Sequence, residues 1–160
     1  MSLKADAASE VADLAAALGL RPSATPTKRI IQYCLEQVHE WAAEAGGISS
    51  IDDLEALICR RKNLVIIEIW SDDDLEQAIR HYVNELGEKG FAILRHQLEG
   101  DGAFGCLFER FNAKRGAHDR YVAFVDCRGS KAYRRFFTRW HEIAHVLTLV
   151  DQLELPLNRG

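Results

Sequence analysis

Several patterns that would place this chain in a specialised class are missing from its sequence. No segment approaches about eighteen uninterrupted apolar residues, the length needed to span a membrane. No run of basic residues exceeds a few positions, and the formal net charge is −4, which argues against binding to a phosphate backbone as the main activity. We therefore expect neither membrane insertion nor direct nucleic-acid binding.

The cysteines form no recognisable metal or redox motif. They are widely spaced and include no C-x-x-C pair: Cys34, Cys59, Cys106 and Cys127. Where a secretory signal would have its apolar core, the chain carries three acidic residues, Asp6, Glu10 and Asp13. An even number of cysteines would permit two disulfides, but we expect free thiols in a cytoplasmic protein.

Length and composition are those of an ordinary globular domain. With 160 residues, of which 48% are hydrophobic and 28% charged, the chain can bury roughly 70% of the surface of its unfolded form. A bound metal would therefore serve chemistry rather than folding. The oligomeric state cannot be deduced from these features.

Hydrophobic periodicity and helix-capping residues predict several helices. Residues 1–26 are expected to form an N-terminal helix and a linker, and residues 27–160 a second region that carries the chemistry. Within that region, one helix should end at Gly46–Gly47 and a shorter one should follow Ser50. Ser71 should cap a further helix that begins with three aspartates, because the N-terminus of a helix attracts negative charge.

Short β-branched and alternating segments predict a small sheet. We expect strands at 64–70, 91–98, 103–111 and 121–126, with 91–98 and 103–111 paired as a hairpin around the turn 99–102. Helices therefore precede a mixed sheet of three to four strands, and a last helix follows it. The fold class predicted is α+β.

The strongest chemical signal is the pattern H-E-x-x-H at residues 141–145. Residues four positions apart on a helix lie one above the other, so His141 and His145 can reach one metal ion. Glu142 can then take a proton from a water molecule bound to that metal. We expect the two histidines to be zinc ligands and Glu142 the general base. The alternative, a pair of core histidines bonded to the backbone, is disfavoured by the intervening glutamate.

Apolar residues are predicted to form a stripe on nearly the opposite side of this helix. The stripe contains Phe136, Trp140, Ile143, Leu147 and Val150. Thr138 is expected to pack or to bond the backbone. The nearby arginines, Arg134, Arg135 and Arg139, either meet an acidic substrate or form a solvated charged edge. The remaining histidines are expected at the surface: His39, His81, His96 and His118.

Residues 119–149 resemble the ImmA/IrrE family of zinc metallopeptidases. That family has a strand, a short loop and a helix of the type R-x-R-F-T-x-A-H-E-x-x-H. Six positions match it: Arg134, Phe137, Thr138, His141, Glu142 and His145. Three positions depart from it, with Phe136 in place of the second Arg, Trp140 in place of a small Ala and Ala144 in place of Gly. Upstream to about residue 27, only the order of elements is similar.

The resemblance implies a zincin-like fold and a bacterial intracellular peptidase that depends on Zn²⁺. Such peptidases often occur beside, or fused to, a helix-turn-helix repressor, which they cleave to release stress or mobile-element genes. By this resemblance His141 and His145 would bind zinc and Glu142 would be the base. Two alternatives remain: a non-catalytic binding or dimerisation module on the same scaffold, and a zinc hydrolase that acts on something other than peptides.

A catalytic zinc site needs a third protein ligand, which the motif does not supply. In the family it is an acidic residue or His on a following helix, about two to three dozen residues beyond the second His, whereas this chain stops at Gly160. We therefore expect the ligand beyond the end of the sequence, with Asp151 or Glu154 as local alternatives. On a continuous helix, Asp151 would be turned roughly 80° away from His141 and could not share its ion. Two histidines alone should bind zinc weakly.

Overall fold

The computed structural model describes residues 3–82, 95–96, 98–99, 103–110, 114 and 116–149. Helices and strands with described bounds follow one another in this order: α1 (Leu3–Ala17), α2 (Pro26–Glu44), α3 (Ile51–Lys62), β1 (Leu64–Ile69), α4 (Asp72–His81), β2 (Gly105–Glu109), β3 (Tyr121–Asp126), a 3-10 helix (Gly129–Arg134) and α5 (Arg135–Leu147). The part of the chain described is thus α+β, as predicted.

The chain divides into two compact units, and the described residues of the first are 3–50 and 147–149. In it α1 packs against α2, and the buried contact is formed by Ala15, Leu18 and Ile30. α2 ends before Gly46 and Gly47, whose φ angles of 82° and 105° suit glycine. Thus α2, which the sequence assigns to the region 27–160, packs on the N-terminal helix.

The second unit, residues 51–146, contains a three-stranded mixed sheet. The strand order is β1-β3-β2, with β1 parallel and β2 antiparallel to β3. All six residues of the central strand, β3, are buried; for residues 121–125 this agrees with an apolar sequence, and the sixth residue is Asp126. The surrounding core is built from Ile69, Leu75, Ala78, Ile79, Tyr82, Leu98, Val122 and Phe124. The predicted small mixed sheet is confirmed over the described residues.

The predicted hairpin between 91–98 and 103–111 is wrong. Arg95, His96 and Leu98 are helical, and the backbone NH of Glu99 donates to the carbonyl of Arg95 at 2.8 Å. β2 instead pairs with β3, where Gly105 lies opposite Val125. Short apolar runs are ambiguous between helix and strand, and β3 offers β2 a buried partner. Residues 91–94 lie outside the described residues.

Helix α4 begins as the sequence predicts. The Ser71 hydroxyl accepts a hydrogen bond from the backbone NH of Asp74 at 3.1 Å, and the Asp74 carboxylate accepts one from the NH of Ser71 at 3.2 Å. This reciprocal pair is a capping box. The aspartates of the first turn therefore belong to the helix N-terminus. The expected continuation of this helix to Leu86 lies outside the described residues.

Two expectations from composition can be compared with the structure. All four cysteines are free thiols, as predicted. Across the described ranges, no helix is both long enough and apolar enough to cross a membrane.

Candidate metal centre

The helix that carries the H-E-x-x-H pattern is joined to the sheet through a buried carboxylate. Asp126, the last residue of β3, accepts hydrogen bonds from the backbone NH and Nε of Arg128 at 3.1 and 2.9 Å, and from Lys131 Nζ at 2.9 Å. Burial opposes ionisation of this carboxyl, but these bonds hold the pKa of Asp126 below its usual value. The turn from β3 into the 3-10 helix is fixed in this way, and so is the start of α5.

The buried face of α5 is not the predicted apolar stripe. The helix buries Thr138, Glu142, Ile143 and Val146. Of the predicted stripe, only Ile143 is fully buried, whereas Phe136 is 59% exposed; Val150 lies outside the described residues. Two polar residues one turn apart, Thr138 and Glu142, therefore face inward. A search for apolar periodicity misses such a face, because it counts these residues as solvent-facing.

The two histidines of the motif converge at the surface of α5. His141 Nε2 and His145 Nε2 lie 3.0 Å apart, and their ring centroids are separated by 4.6 Å. Both residues are exposed. Two nitrogen ligands of a tetrahedral zinc ion, each about 2.05 Å from the metal, lie about 3.3 Å apart. At 3.0 Å the two nitrogens are also within hydrogen-bonding distance of each other, and the separation is near enough to the zinc value for the pair to supply two ligands of a zinc site.

Glu142 lies beside the histidines but in a buried position, with 5% of its surface exposed. Gly105 on β2 makes room for it: a Cβ atom at that glycine would lie 3.2 Å from Glu142 Oε1 and 2.8 Å from Thr138 Cγ2. Burial raises the pKa of Glu142, while His145 and His141 act in the opposite direction. A buried carboxylate next to a histidine pair is suited to accepting a proton.

A cavity of about 320 Å³ opens beside this group. Its walls come from the residues at the start of β2, the end of the 3-10 helix and one face of α5: Ala103, Phe104, Gly105, Arg134, Phe137, Thr138, His141 and Glu142. Trp140, which replaces the family's small residue, is not among these lining residues. The motif therefore has a neighbouring space in which a reacting group can lie.

Gly105 and Phe104 are site residues that the sequence analysis missed. The available signal was a glycine inside a strand pattern, which often marks a close approach of two backbones. The Cβ atom that Gly105 lacks would also lie 2.8 Å from the carbonyl oxygen of Phe124. Only the pairing of β2 with β3 brings this glycine to α5, and that pairing was not predicted.

Two of the three arginines near the motif are held in ion pairs within the protein. Arg135 Nε donates to Glu68 Oε2 at 2.6 Å, and Arg139 Nη1 donates to Glu68 Oε1 at 2.8 Å. Arg139 also pairs with Glu55 on α3. The hydrogen bond from Arg135 lowers the pKa of Glu68. These pairs tie α5 to β1 and α3. Arg139 is mostly buried in them, whereas Arg135 is paired but stays exposed, as expected for a solvated charged edge.

Arg134 is held differently, by aromatic rings. Its Cζ atom lies over the ring of Phe104 at 4.3 Å and over the ring of Phe137 at 5.2 Å from the centroids. Such cation–π contacts fix a guanidinium without neutralising it. Arg134 thus brings a positive charge to the cavity.

A third metal ligand is not found among the described residues. Within those ranges, no three His, Cys, Asp or Glu side chains form a group that could hold a metal ion. Asp151 and Glu154 lie outside the described residues. Cys106 on β2 is a nearby thiol, and burial together with Glu142 raises its pKa to about 12. The position of the third ligand stays a prediction.

The predicted surface positions of the other histidines are confirmed where they can be compared. His39, His81, His96 and His118 are all exposed. The structure therefore brings together two of the six histidines, His141 and His145, with Glu142 beside them.

Comparisons with protein-family models, with curated proteins and with solved structures found no match to this chain. What the chain does must therefore be inferred from its own residues, chiefly His141, Glu142 and His145.

Proposed function

We propose that this chain is a zinc-dependent peptidase of the ImmA/IrrE type with a zincin-like fold. Its substrate would be a regulatory protein such as a helix-turn-helix repressor. The observation that carries the proposal is the 3.0 Å approach of His141 Nε2 to His145 Nε2, beside a cavity that Glu142 lines. The mixed sheet that precedes this helix, and the sequence pattern of residues 119–149, support the choice of family.

The chemistry assigns separate roles to the histidines and the glutamate. A zinc ion held by His141, His145 and a third ligand would supply Lewis acidity toward a peptide carbonyl and a water molecule. The Glu142 carboxylate accepts the proton of the attacking water and passes it to the leaving amine. Glu142 is buried, with its Oε1 atom close to Gly105, so the side chain does not need to be ordered during each turnover.

The function is tested by the substitution Glu142→Gln, which keeps the shape of the side chain and removes the proton acceptor. With zinc and a library of quenched fluorescent peptides, we expect cleavage to fall at least about 100-fold. Glu40→Gln is the control, since Glu40 is an exposed residue of α2. Cleavage by the Glu142 variant at the wild-type rate would contradict the proposal.

A non-catalytic binding or dimerisation module is the second candidate, and exposed aromatic side chains favour it. Tyr133, Phe136 and Phe137 are 78%, 59% and 60% exposed, and aromatic residues are enriched where proteins bind partners. A protein substrate would use the same surface. The two candidates separate when partner binding and cleavage are measured on the Glu142→Gln variant: a module keeps its full cellular activity, whereas a peptidase retains only binding.

Zinc affinity tests the predicted position of the third ligand. Calorimetric titration with zinc measures this: two histidine donors alone should bind the ion weakly, because a zinc site usually has a third protein donor. His141→Ala should remove this binding. Tight binding of one equivalent would instead indicate a local ligand, and Asp151→Asn and Glu154→Gln would then identify which residue it is.

A further inference from the structure

We infer that the cavity beside Glu142 binds a carboxylate group of the peptide substrate, and that Arg134 is the residue that binds it. The inference rests on the proposed function, since it names a feature of the substrate of that same site. Arg134, His141 and Glu142 line one cavity. A group bound by Arg134 would therefore lie on a molecule that also reaches the reacting residues.

The first argument is that the charge of Arg134 is not paired with a carboxylate of any described residue. Neighbouring cations are paired within the protein: Arg128 and Lys131 with Asp126, Arg135 with Glu68, and Arg139 with Glu55 and Glu68. In the described part of the chain, Arg134 has no carboxylate partner. Glu142 is the acidic residue that lines the same cavity, but it forms no ion pair with Arg134, so the guanidinium can bind an anionic ligand.

The second argument is that Arg134 is already positioned. Its Cζ atom lies over the rings of Phe104 and Phe137, at 4.3 and 5.2 Å from their centroids. Cation–π contacts involve the positive charge of a guanidinium, and its N–H donors remain able to form hydrogen bonds with a ligand. Little side-chain entropy remains to be lost when a ligand binds. The planar fork also matches the two oxygens of a carboxylate.

The third argument is distance. Arg134 Cζ lies 5.2 Å from the Phe137 centroid, which lies 6.5 Å from the His141 centroid. Arg134 Cζ is therefore no more than about 12 Å from the His141 ring. An extended peptide rises about 3.3 Å per residue, so the bound carboxylate belongs to a residue within about four positions of the scissile bond.

Two groups of a peptide supply this chemistry: an Asp or Glu side chain, and the carboxylate at the C-terminus. The cavity has a volume of about 320 Å³, many times what one water molecule needs. It can accept either group. The proposal is the shared carboxylate chemistry, and peptides of different design distinguish the two sources.

The test measures binding without cleavage, in the Glu142→Gln background with zinc present. Fluorescently labelled nonapeptide libraries carry Glu or Gln at one position, small neutral residues elsewhere, and either a free or an amidated C-terminus. Fluorescence anisotropy gives the dissociation constants. We expect roughly tenfold tighter binding when a carboxylate is present, the usual effect of one charge-assisted hydrogen-bonded pair. The Glu position or the free terminus that produces this gain identifies the source.

Three arginine variants decide whether Arg134 is responsible. Arg134→Gln should abolish the preference for the carboxylate, and Arg134→Lys should retain part of it as a point charge. Arg60→Gln changes the net charge equally on an exposed residue of α3 and should keep the full preference. Thermal unfolding of each variant confirms that it is folded.

Several results would overturn the inference. They are a library that does not bind, equal binding of Glu and Gln peptides with either terminus, and a preference that survives in Arg134→Gln. Cleavage by the wild-type chain is scored separately. Cleavage without a carboxylate preference removes this inference and leaves the proposed function standing. A carboxylate preference without cleavage contradicts the proposed function and leaves this inference in place.

Discussion

The space that Gly105 leaves between β2 and α5 can be tested by the substitution Gly105→Ala. The added Cβ atom would lie 2.8 Å from the carbonyl oxygen of Phe124 and 2.8 Å from Thr138 Cγ2. Ordinary contacts of a Cβ atom begin at about 3.4 Å, so β2 would have to move away from both neighbours. The carbonyl belongs to the backbone of the central strand and cannot rotate away.

The size of the effect follows from two opposing contributions. Where an alanine fits, replacing glycine stabilises a protein by about 0.4–1 kcal/mol, because the unfolded chain loses freedom. Overpacking costs about 1–3 kcal/mol. With two contacts of 2.8 Å, we expect overpacking to dominate. The net loss should be about 1–2 kcal/mol, which corresponds to a fall in Tm of about 3–6 °C.

Urea denaturation of four proteins measures this contribution: the wild type, Gly105→Ala, Thr138→Ser and the double variant. Serine lacks the Cγ2 methyl group that the new Cβ atom would meet. The loss of unfolding free energy in the double variant should therefore be smaller than the sum of the losses in the two single variants, by at least about 0.5 kcal/mol. A Gly105→Ala protein as stable as the wild type, or strictly additive effects, would refute the proposed close packing.

Two further predictions concern the ion pairs that hold α5. The folded pKa of Asp126 is lowered, so its stabilising effect is complete above its unfolded pKa of about 3.9 and is lost as the pH falls through the folded value. Asp126→Asn should lower the unfolding free energy by about 2 kcal/mol at pH 7. Urea denaturation at several pH values should show that this deficit shrinks below about pH 4. A deficit that does not change with pH would contradict the prediction. Arg139→Gln should lower the unfolding free energy by about 1–2 kcal/mol. A double-mutant cycle with Glu55→Gln should show coupling between the two residues, since both side chains are mostly buried. Additive losses would mean that this ion pair contributes nothing to stability.

Local patterns were sufficient to predict much of the fold. β3 was predicted from its unbroken apolar sequence, and the start of α4 from Ser71 and the aspartates that follow it. The convergence of His141 and His145 follows from four-residue spacing on any helix. Each of these features depends on residues close together in sequence, so the sequence alone specifies it.

Features that depend on distant partners were not predicted. The strand pairing of Gly105 with Val125 could not be distinguished from a hairpin, because residues 91–98 fit both. The inward face of α5 was missed, since Glu142 is buried only where a glycine from another strand gives it space. Likewise, Arg139 is tied to Glu55 and Glu68, which lie on elements far away in sequence.

The central place of β3 has a consequence for how the chain folds as it is made. Leu64 on β1 pairs with Tyr121 on β3, so more than a third of the chain separates the partners. β2 also pairs only with β3 among the described strands. A ribosome that has released residues up to 110 has produced two strands with no common neighbour. Closure of the sheet must await the arrival of 121–126, which makes folding slow and exposes apolar strand surface to chaperones in the meantime.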